Sequence, residues 1–238
     1  MIINIDGREL EAEKGQTILQ VATENGIDIP TLCHHEALEP YGACRICIVE
    51  IFRGGRSKIV ASCLYPAEEG LEVKTSSPRV LTNRKMILEL LLARCPNNEV
   101  IRDLALQMGI EQTSFRLEYL EDNDCIVCGL CVRACEQVVG VSAISLVNRG
   151  ITKEPASPFL ESSKDCIGCG SCYYICPTGA IKMEDKEDTR VIYNWEVEFK
   201  LKKCKVCGNY WAPERQLDYI RENWNLPEDF FDICPNCK

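Results

Sequence analysis

The sequence predicts an α+β chain assembled from several small metal-binding modules. Three observations lead there. Seventeen cysteines stand among 238 residues, and most of them fall in C-x2-C groups. Short runs alternate apolar and polar residues between turn signals, which predicts strands. Helical patterns open at Ser77-Pro78 and again near Asn98, the first with Pro in the opening turn. Length alone suggests one or two domains. Metal binding contributes folding free energy directly, so cysteine-rich units can be smaller, and three or four modules is the better expectation.

The cysteine spacing also sets the compartment. Scattered cysteines in a secreted chain would be read as disulfides. The start, Met1-Ile-Ile-Asn-Ile-Asp-Gly7, has no basic leader, long apolar run or small-residue cleavage site. Repeated C-x2-C groups therefore point to metal ligation in a reducing cytoplasm. No stretch approaches the roughly 20 apolar residues of a membrane span. The formal charge is 27 − 36 = −9. Each four-thiolate site nets about −2 around zinc or an oxidised cluster, so four would add roughly −8. Such an acidic chain is a poor candidate for nonspecific nucleic-acid binding.

Residues 1–77 form the first expected module. Ile3, Ile5 and Leu10 flank Asp6-Gly7, a hairpin signal. Thr17 caps a helix through Ile18, Leu19, Val21 and Ala22 that closes at Gly26. Cys33, Cys44, Cys47 and Cys63 follow at spacings x10, x2 and x15, with Ile46, Ile48 and Ile51 reading as a strand. A hairpin, a helix and a cysteine loop entering a strand describe a β-grasp ferredoxin whose loop wraps a [2Fe–2S] cluster. The first gap departs from the plant-type C-x4-C-x2-C spacing. His34 and His35 follow Cys33, but four thiolates are already available, so these read as polar loop residues.

Residues 78–120 form a helical segment. Its first helix carries Leu81, Ile87, Leu88, Leu91 and Leu92, and its second runs from about Asn98 to Met108 and ends at Gly109. Cys95 between them reads as a small buried hydrophobe.

Residues 121–186 hold the densest pattern. Cys125-Ile-Val-Cys128-Gly-Leu-Cys131-Val-Arg-Ala-Cys135 is followed by Cys166-Ile-Gly-Cys169-Gly-Ser-Cys172-Tyr-Tyr-Ile-Cys176-Pro177. Both runs are C-x2-C-x2-C-x3-C, the bacterial ferredoxin spacing in which the fourth Cys of each run ligates the other cluster. Cys125, Cys128, Cys131 and Cys176 are expected on one [4Fe–4S] cluster, and Cys135, Cys166, Cys169 and Cys172 on the other. Each fourth Cys is expected to start a helix. Gly129, Gly168 and Gly170 let the backbone approach sulfur. Glu136 stands where Pro commonly follows the fourth Cys, and Tyr173 and Tyr174 read as core residues.

Residues 187–238 form the last module. Val191, Tyr193 and Trp195 alternate as a strand, and Leu217, Ile220, Trp224 and Leu226 could bury one side of a helix. Cys204-x2-Cys207-Gly208 and Cys234-Pro235-Asn236-Cys237 are paired knuckles of the zinc-ribbon or rubredoxin kind. Four thiolates there favour Zn2+, with a single iron or a third [4Fe–4S] cluster as alternatives.

Residues 1–185 resemble the N-terminal part of the large iron–sulfur subunit of respiratory complex I. They also resemble [FeFe]-hydrogenases and the small diaphorase subunit of NAD(P)-linked hydrogenases or formate dehydrogenases. The words Ile29-Pro30-Thr31-Leu32-Cys33, Gly42-Ala43-Cys44-Arg45-Ile46-Cys47-Ile48-Val49-Glu50 and Ala61-Ser62-Cys63 carry the resemblance, in the family's order. Such relatives usually place H-x3-C-x2-C-x5-C between the two helices, for a further [4Fe–4S] cluster. Here Leu91 falls at the His, and Cys95-Pro96 and Asp103-Leu104-Ala105 remain, so that cluster reads as lost.

The resemblance implies an electron-relay subunit of a soluble multisubunit oxidoreductase. Implied partners are an FMN/NAD(P)-binding subunit, a thioredoxin-like [2Fe–2S] subunit and a hydrogenase or dehydrogenase catalytic subunit. Some relatives also bifurcate electrons to soluble ferredoxin. Relatives that catalyse carry additional domains, and no G-x-G-x-x-G fingerprint follows a strand here, so the expectation is a chain that relays without catalysing. A free ferredoxin-like carrier is the alternative, or a zinc-ribbon interaction protein with structural or sensory clusters.

Overall fold

Asp6-Gly7 turns the chain back on itself, joining β1 (Ile2–Ile5) to β2 (Arg8–Glu11) as an antiparallel hairpin. In the computed structural model, residues 1–115 and 123–238 are described. The chain divides into two units, Met1–Cys128 and Gly129–Lys238.

In the first unit, Thr17 opens α1 (Ile18–Glu24) with a complete capping box, exchanging bonds with Gln20. Gly54-Gly55 joins β3 (Ile48–Arg53) to β4 (Arg56–Ala61), and β5 (Glu72–Lys74) completes a mixed sheet in the order β2-β1-β5-β3-β4. β5 runs parallel to β1 and antiparallel to β3. Ile18, Val21 and Ala22 of α1 join Ile3, Ile5, Val49, Ile51 and Val73 in one buried core. This is the expected β-grasp arrangement. Its strand begins at Ile48, so Ile46 belongs to the cysteine loop.

Ser77 caps α2 (Pro78–Arg94), its hydroxyl accepting the Val80 N–H, and Asn98 caps α3 (Glu99–Gln107) through the Ile101 N–H. α2 packs against α3 and β3. The module boundary expected between residues 120 and 121 lies outside the described residues.

The second unit opens with α4 (Leu130–Arg133), which widens into a π turn over Ala134–Val139. A small hairpin, β6 (Ser145–Val147) with β7 (Glu154–Ala156), leads to α5 (Ser171–Tyr174). The third cysteine of each run, Cys131 or Cys172, sits in the opening turn of its helix. The fourth does not start a helix: Cys135 lies in the π turn and Cys176 just beyond α5. The reason is local, because Gly129 and Gly170 adopt left-handed N-cap conformations and turn the chain into helix before the third cysteine.

β8 (Met183–Lys186), β9 (Thr189–Ile192), β10 (Val197–Lys203) and β11 (Tyr210–Pro213) form an antiparallel sheet in the order β11-β10-β9-β8. Glu187-Asp188, where the last module was expected to begin, is the turn between β8 and β9. The expected strand through Tyr193 and Trp195 stops at Ile192. Residues Tyr193–Trp195 form a 3-10 turn that buries Trp195 between the strands. α6 (Glu214–Trp224) packs on β10 and β11 through Leu217. Trp224 is 66% exposed and lies off that face. Tyr174 is 72% exposed and stacks edge-on against Tyr173 at 5.1 Å, so this pair is not core. Among the described residues, no helix is long and apolar enough to cross a membrane.

Candidate metal centres

The N-terminal thiols sit where the sheet meets its loops. Cys33 follows α1, Cys44 and Cys47 precede β3, and Cys63 follows β4; all four are buried. They pair. Cys44 donates its backbone N–H to Cys33 Sγ at 3.4 Å, and the Cys47 and Cys63 sulfurs are 3.4 Å apart. The Cys63 contact holds the Cys47 thiol down to about 6, and Cys63, the other member of the pair, is raised well above the ordinary thiol range. Four buried thiols, Cys44 tied to Cys33 and Cys47 to Cys63, suit two irons each held by two thiolates, which is the donor set of a [2Fe–2S] cluster.

Arg84 of α2 fixes the exit of this loop. Its buried guanidinium donates to the carbonyls of Ile46 at 3.1 Å, Ile48 at 2.8 Å and Thr75 at 3.2 Å. His35 is exposed, and its Nδ1 accepts the Ala37 N–H at 3.1 Å, as a loop residue would.

In the second unit, Cys135, Cys166, Cys169 and Cys172 line one cavity, walled by Val139, Ala143, Ile144 and Trp195. The fourth cysteine of the first run thus joins three of the second. Donors converge on the sulfurs. Ala143 N–H reaches Cys135 Sγ at 3.2 Å, and the Trp195 indole N–H reaches Cys172 Sγ at 3.3 Å. Burial pushes the Cys172 thiol up to about 12, so a bound cation is needed to hold it as thiolate near neutrality. Gly168 and Gly170 have φ of 73° and 76°. A Cβ at Gly168 would come within 2.5 Å of the Phe199 ring, and one at Gly170 within 2.8 Å of Met183 Sδ. Only glycine lets this loop pass under the sheet. Cysteine spacing gives no signal that Trp195, Phe199 or Met183 belongs to this site.

Of the other ferredoxin set, Cys125 and Cys128 belong to the first unit and Cys131 and Cys176 to the second. Cys125 Sγ accepts the Val127 N–H at 3.4 Å, and Cys176 Sγ accepts the Ala180 N–H at 3.3 Å. Cys95 is fully buried, with its thiol pushed up to about 12 by that burial, and accepts a bond from Asn123 Nδ2 at 3.2 Å. It matches the small buried hydrophobe expected.

The tail thiols of Cys204, Cys207, Cys234 and Cys237 all lie within 4.8 Å of one another. A tetrahedral ion with Zn–S near 2.3 Å needs sulfurs roughly 3.8 Å apart, and Cys207 and Cys234 are separated by 3.9 Å. A cubane places a different iron behind each sulfur and would spread them further. Backbone N–H groups, that of Cys234 foremost at 3.3 Å, hold the Cys204 thiol down to about 6. The two knuckles are tied by the Lys205 N–H bond to Asp232 O and by Lys202 and Lys205 on the Asp232 carboxylate.

Residues 1–78 match the family described as a 2Fe-2S iron-sulfur cluster binding domain, and residues 162–182 match a 4Fe-4S binding domain. The chain is similar to an NADH-quinone oxidoreductase subunit of Rhizobium meliloti (strain 1021), 32% identical over 75% of this chain and 23% of the relative. It is also similar to NADP-reducing hydrogenase subunit HndD of Solidesulfovibrio fructosivorans, 34% identical over 83% of this chain and 37% of the relative. Among solved structures, a chain of an NAD+-reducing [NiFe]-hydrogenase in the H2-reduced state is 31% identical, with TM-score 0.58. That match covers 66% of this chain and 74% of the other. The chain belongs to this family of iron–sulfur subunits. Family members such as the Rhizobium meliloti protein and HndD are much longer, and the chain spans about a quarter to two fifths of their length. This chain carries a [2Fe–2S] binding domain over residues 1–78 and a [4Fe–4S] binding motif over residues 162–182.

Proposed function

We propose that the chain is an electron-relay subunit of a multisubunit NAD(P)-linked oxidoreductase of the hydrogenase or formate dehydrogenase type. Each cluster, when bound, exchanges one electron at a time. The chain's own residues hold the clusters at fixed stations, shield them from water and supply N–H donors to their sulfurs. We read Cys33, Cys44, Cys47 and Cys63 as the [2Fe–2S] ligands. Cys125, Cys128, Cys131 and Cys176 take one [4Fe–4S] cluster, and Cys135, Cys166, Cys169 and Cys172 the other. Cys204, Cys207, Cys234 and Cys237 hold Zn2+.

The observation that carries the relay reading is the meeting of Cys135 with Cys166, Cys169 and Cys172 around one cavity. Two cysteine runs that exchange their fourth ligand bring two clusters into one small fold, which is what stepwise electron transfer needs. The modules are read as 1–77, 78–120, 121–186 and 187–238. The names of the relatives, a subunit of an NADH-quinone oxidoreductase and one of an NADP-reducing hydrogenase, support oxidoreductase subunits as partners; we read these as an FMN/NAD(P)-binding subunit, a thioredoxin-like [2Fe–2S] subunit and a hydrogenase or dehydrogenase subunit. Purification from the native host tests this. The expected result is co-purification with an FMN-containing subunit, while the isolated chain takes up electrons but turns over neither NADH nor H2. Strong turnover by the isolated chain would sink the reading.

A further inference from the structure

The structure assigns to Trp195 a role in setting the potential of the cluster held by Cys135, Cys166, Cys169 and Cys172. The assignment rests on the reading of those four cysteines as ligands of a [4Fe–4S] cluster. Trp195 lies outside both ferredoxin runs and beyond the 162–182 segment shared with the 4Fe-4S family. Its indole is 4% exposed and directs its one N–H at Cys172 Sγ, 3.3 Å away.

The turn that carries it is pinned. Asn194 donates to the Ala180 carbonyl at 3.1 Å and accepts the Lys182 N–H at 2.7 Å. Glu196 closes the turn in a left-handed conformation at φ 50°. Ile192, Phe199 and Met183 pack in the same core. A tryptophan buried only for packing needs some acceptor for its N–H. Here the acceptor is a ligand sulfur, and the ring also walls the cavity.

The physical consequence has a sign. A hydrogen bond to a ligating sulfur stabilises negative charge on it, and the reduced cluster carries one more electron than the oxidised one. The bond is therefore stronger in the reduced state and raises the potential. The sheet that follows the ferredoxin motif thus becomes part of the electronic environment of one station.

The test is an EPR-monitored potentiometric titration of the full chain, reconstituted anaerobically, with Trp195→Phe and with β-(benzothien-3-yl)alanine at position 195. The second substitution keeps the ring shape and replaces the N–H by sulfur. Both are expected to shift one [4Fe–4S] potential downward and leave the other cluster signals in place. The iron–cysteine stretching band in the resonance Raman spectrum should move as the bond is lost. An unshifted potential in the benzothienyl variant, or an equal shift of every cluster, overturns the assignment. Cys169→Ala separates the two levels. Loss of the very signal that Trp195 variants shift supports both. Loss of a signal that they do not shift overturns the Trp195 role alone. No loss of any signal in Cys169→Ala overturns the ligand reading, and the assignment with it.

Discussion

Asn123 grips Cys125 from both sides. Its Nδ2 donates to the Cys125 carbonyl at 3.0 Å, and its Oδ1 accepts the Cys125 N–H at 3.3 Å. The same amide donates to the Arg94 carbonyl at 2.9 Å and to Cys95 Sγ, while Arg94 Nε reaches the Cys125 carbonyl at 2.8 Å. The corner between α2 and α3 is a polar clasp on the first cysteine of the ferredoxin runs.

Asn123→Ala should loosen that clasp. Several half-buried bonds go at once, so a loss of about 1–3 kcal/mol is expected. Iron analysis after anaerobic reconstitution should show poorer filling of the cluster that uses Cys125, with the [2Fe–2S] absorption intact. Full occupancy of both cubanes with an unchanged melting temperature would contradict the role.

Cys95→Ala tests whether the remnant thiol is a ligand. Its burial and high thiol pKa describe packing. The variant should lose on the order of 1 kcal/mol of stability and keep its full iron content. Loss of iron in proportion to a whole cluster would restore Cys95 to the ligands.

Arg84→Met should be among the more damaging changes in the first unit. The guanidinium satisfies three carbonyls, two of them at the loop that presents Cys47. Removing it leaves those groups without their charged donor, at about 3 kcal/mol. The expected signs are a lower melting temperature and a [2Fe–2S] cluster that bleaches faster in air.

A chelator challenge addresses the tail. Competition with a zinc indicator dye should release about one Zn2+ per chain, without bleaching the visible cluster bands. Cys237→Ser should abolish that release. A chain with about fourteen irons and no zinc would place a cubane there instead.

Much of this was legible because it is local. Thr17 caps the helix it was expected to cap, and the helices expected to open at Ser77-Pro78 and near Asn98 do so, capped by Ser77 and Asn98, since a helix start is decided within one turn of chain. Cys135, Cys166, Cys169 and Cys172 line one cavity, and the thiols of Cys204, Cys207, Cys234 and Cys237 lie together, groupings that local spacing also suggests. The β3–β4 hairpin turns at Gly54-Gly55, a pair that suits a tight turn. What the sequence hid were contacts across distance. Nothing near Asn123 announces that it bonds Cys95, 28 residues earlier. Trp195 fitted an alternating strand pattern, and burial against the Cys172 loop drew it into a turn instead. Trp224 continued the apolar stripe of Leu217 and Ile220 but is the last residue of α6 and is left exposed.

The most direct test is a reductive EPR titration of the purified full chain with iron counted in the same sample. The relay reading predicts about ten irons per chain and three one-electron signals, one from a [2Fe–2S] and two from [4Fe–4S] clusters, each integrating to about one spin. About six irons with a single [4Fe–4S] signal would contradict it, because the Cys125 and Cys166 runs together supply eight thiolates, the ligands of two cubanes.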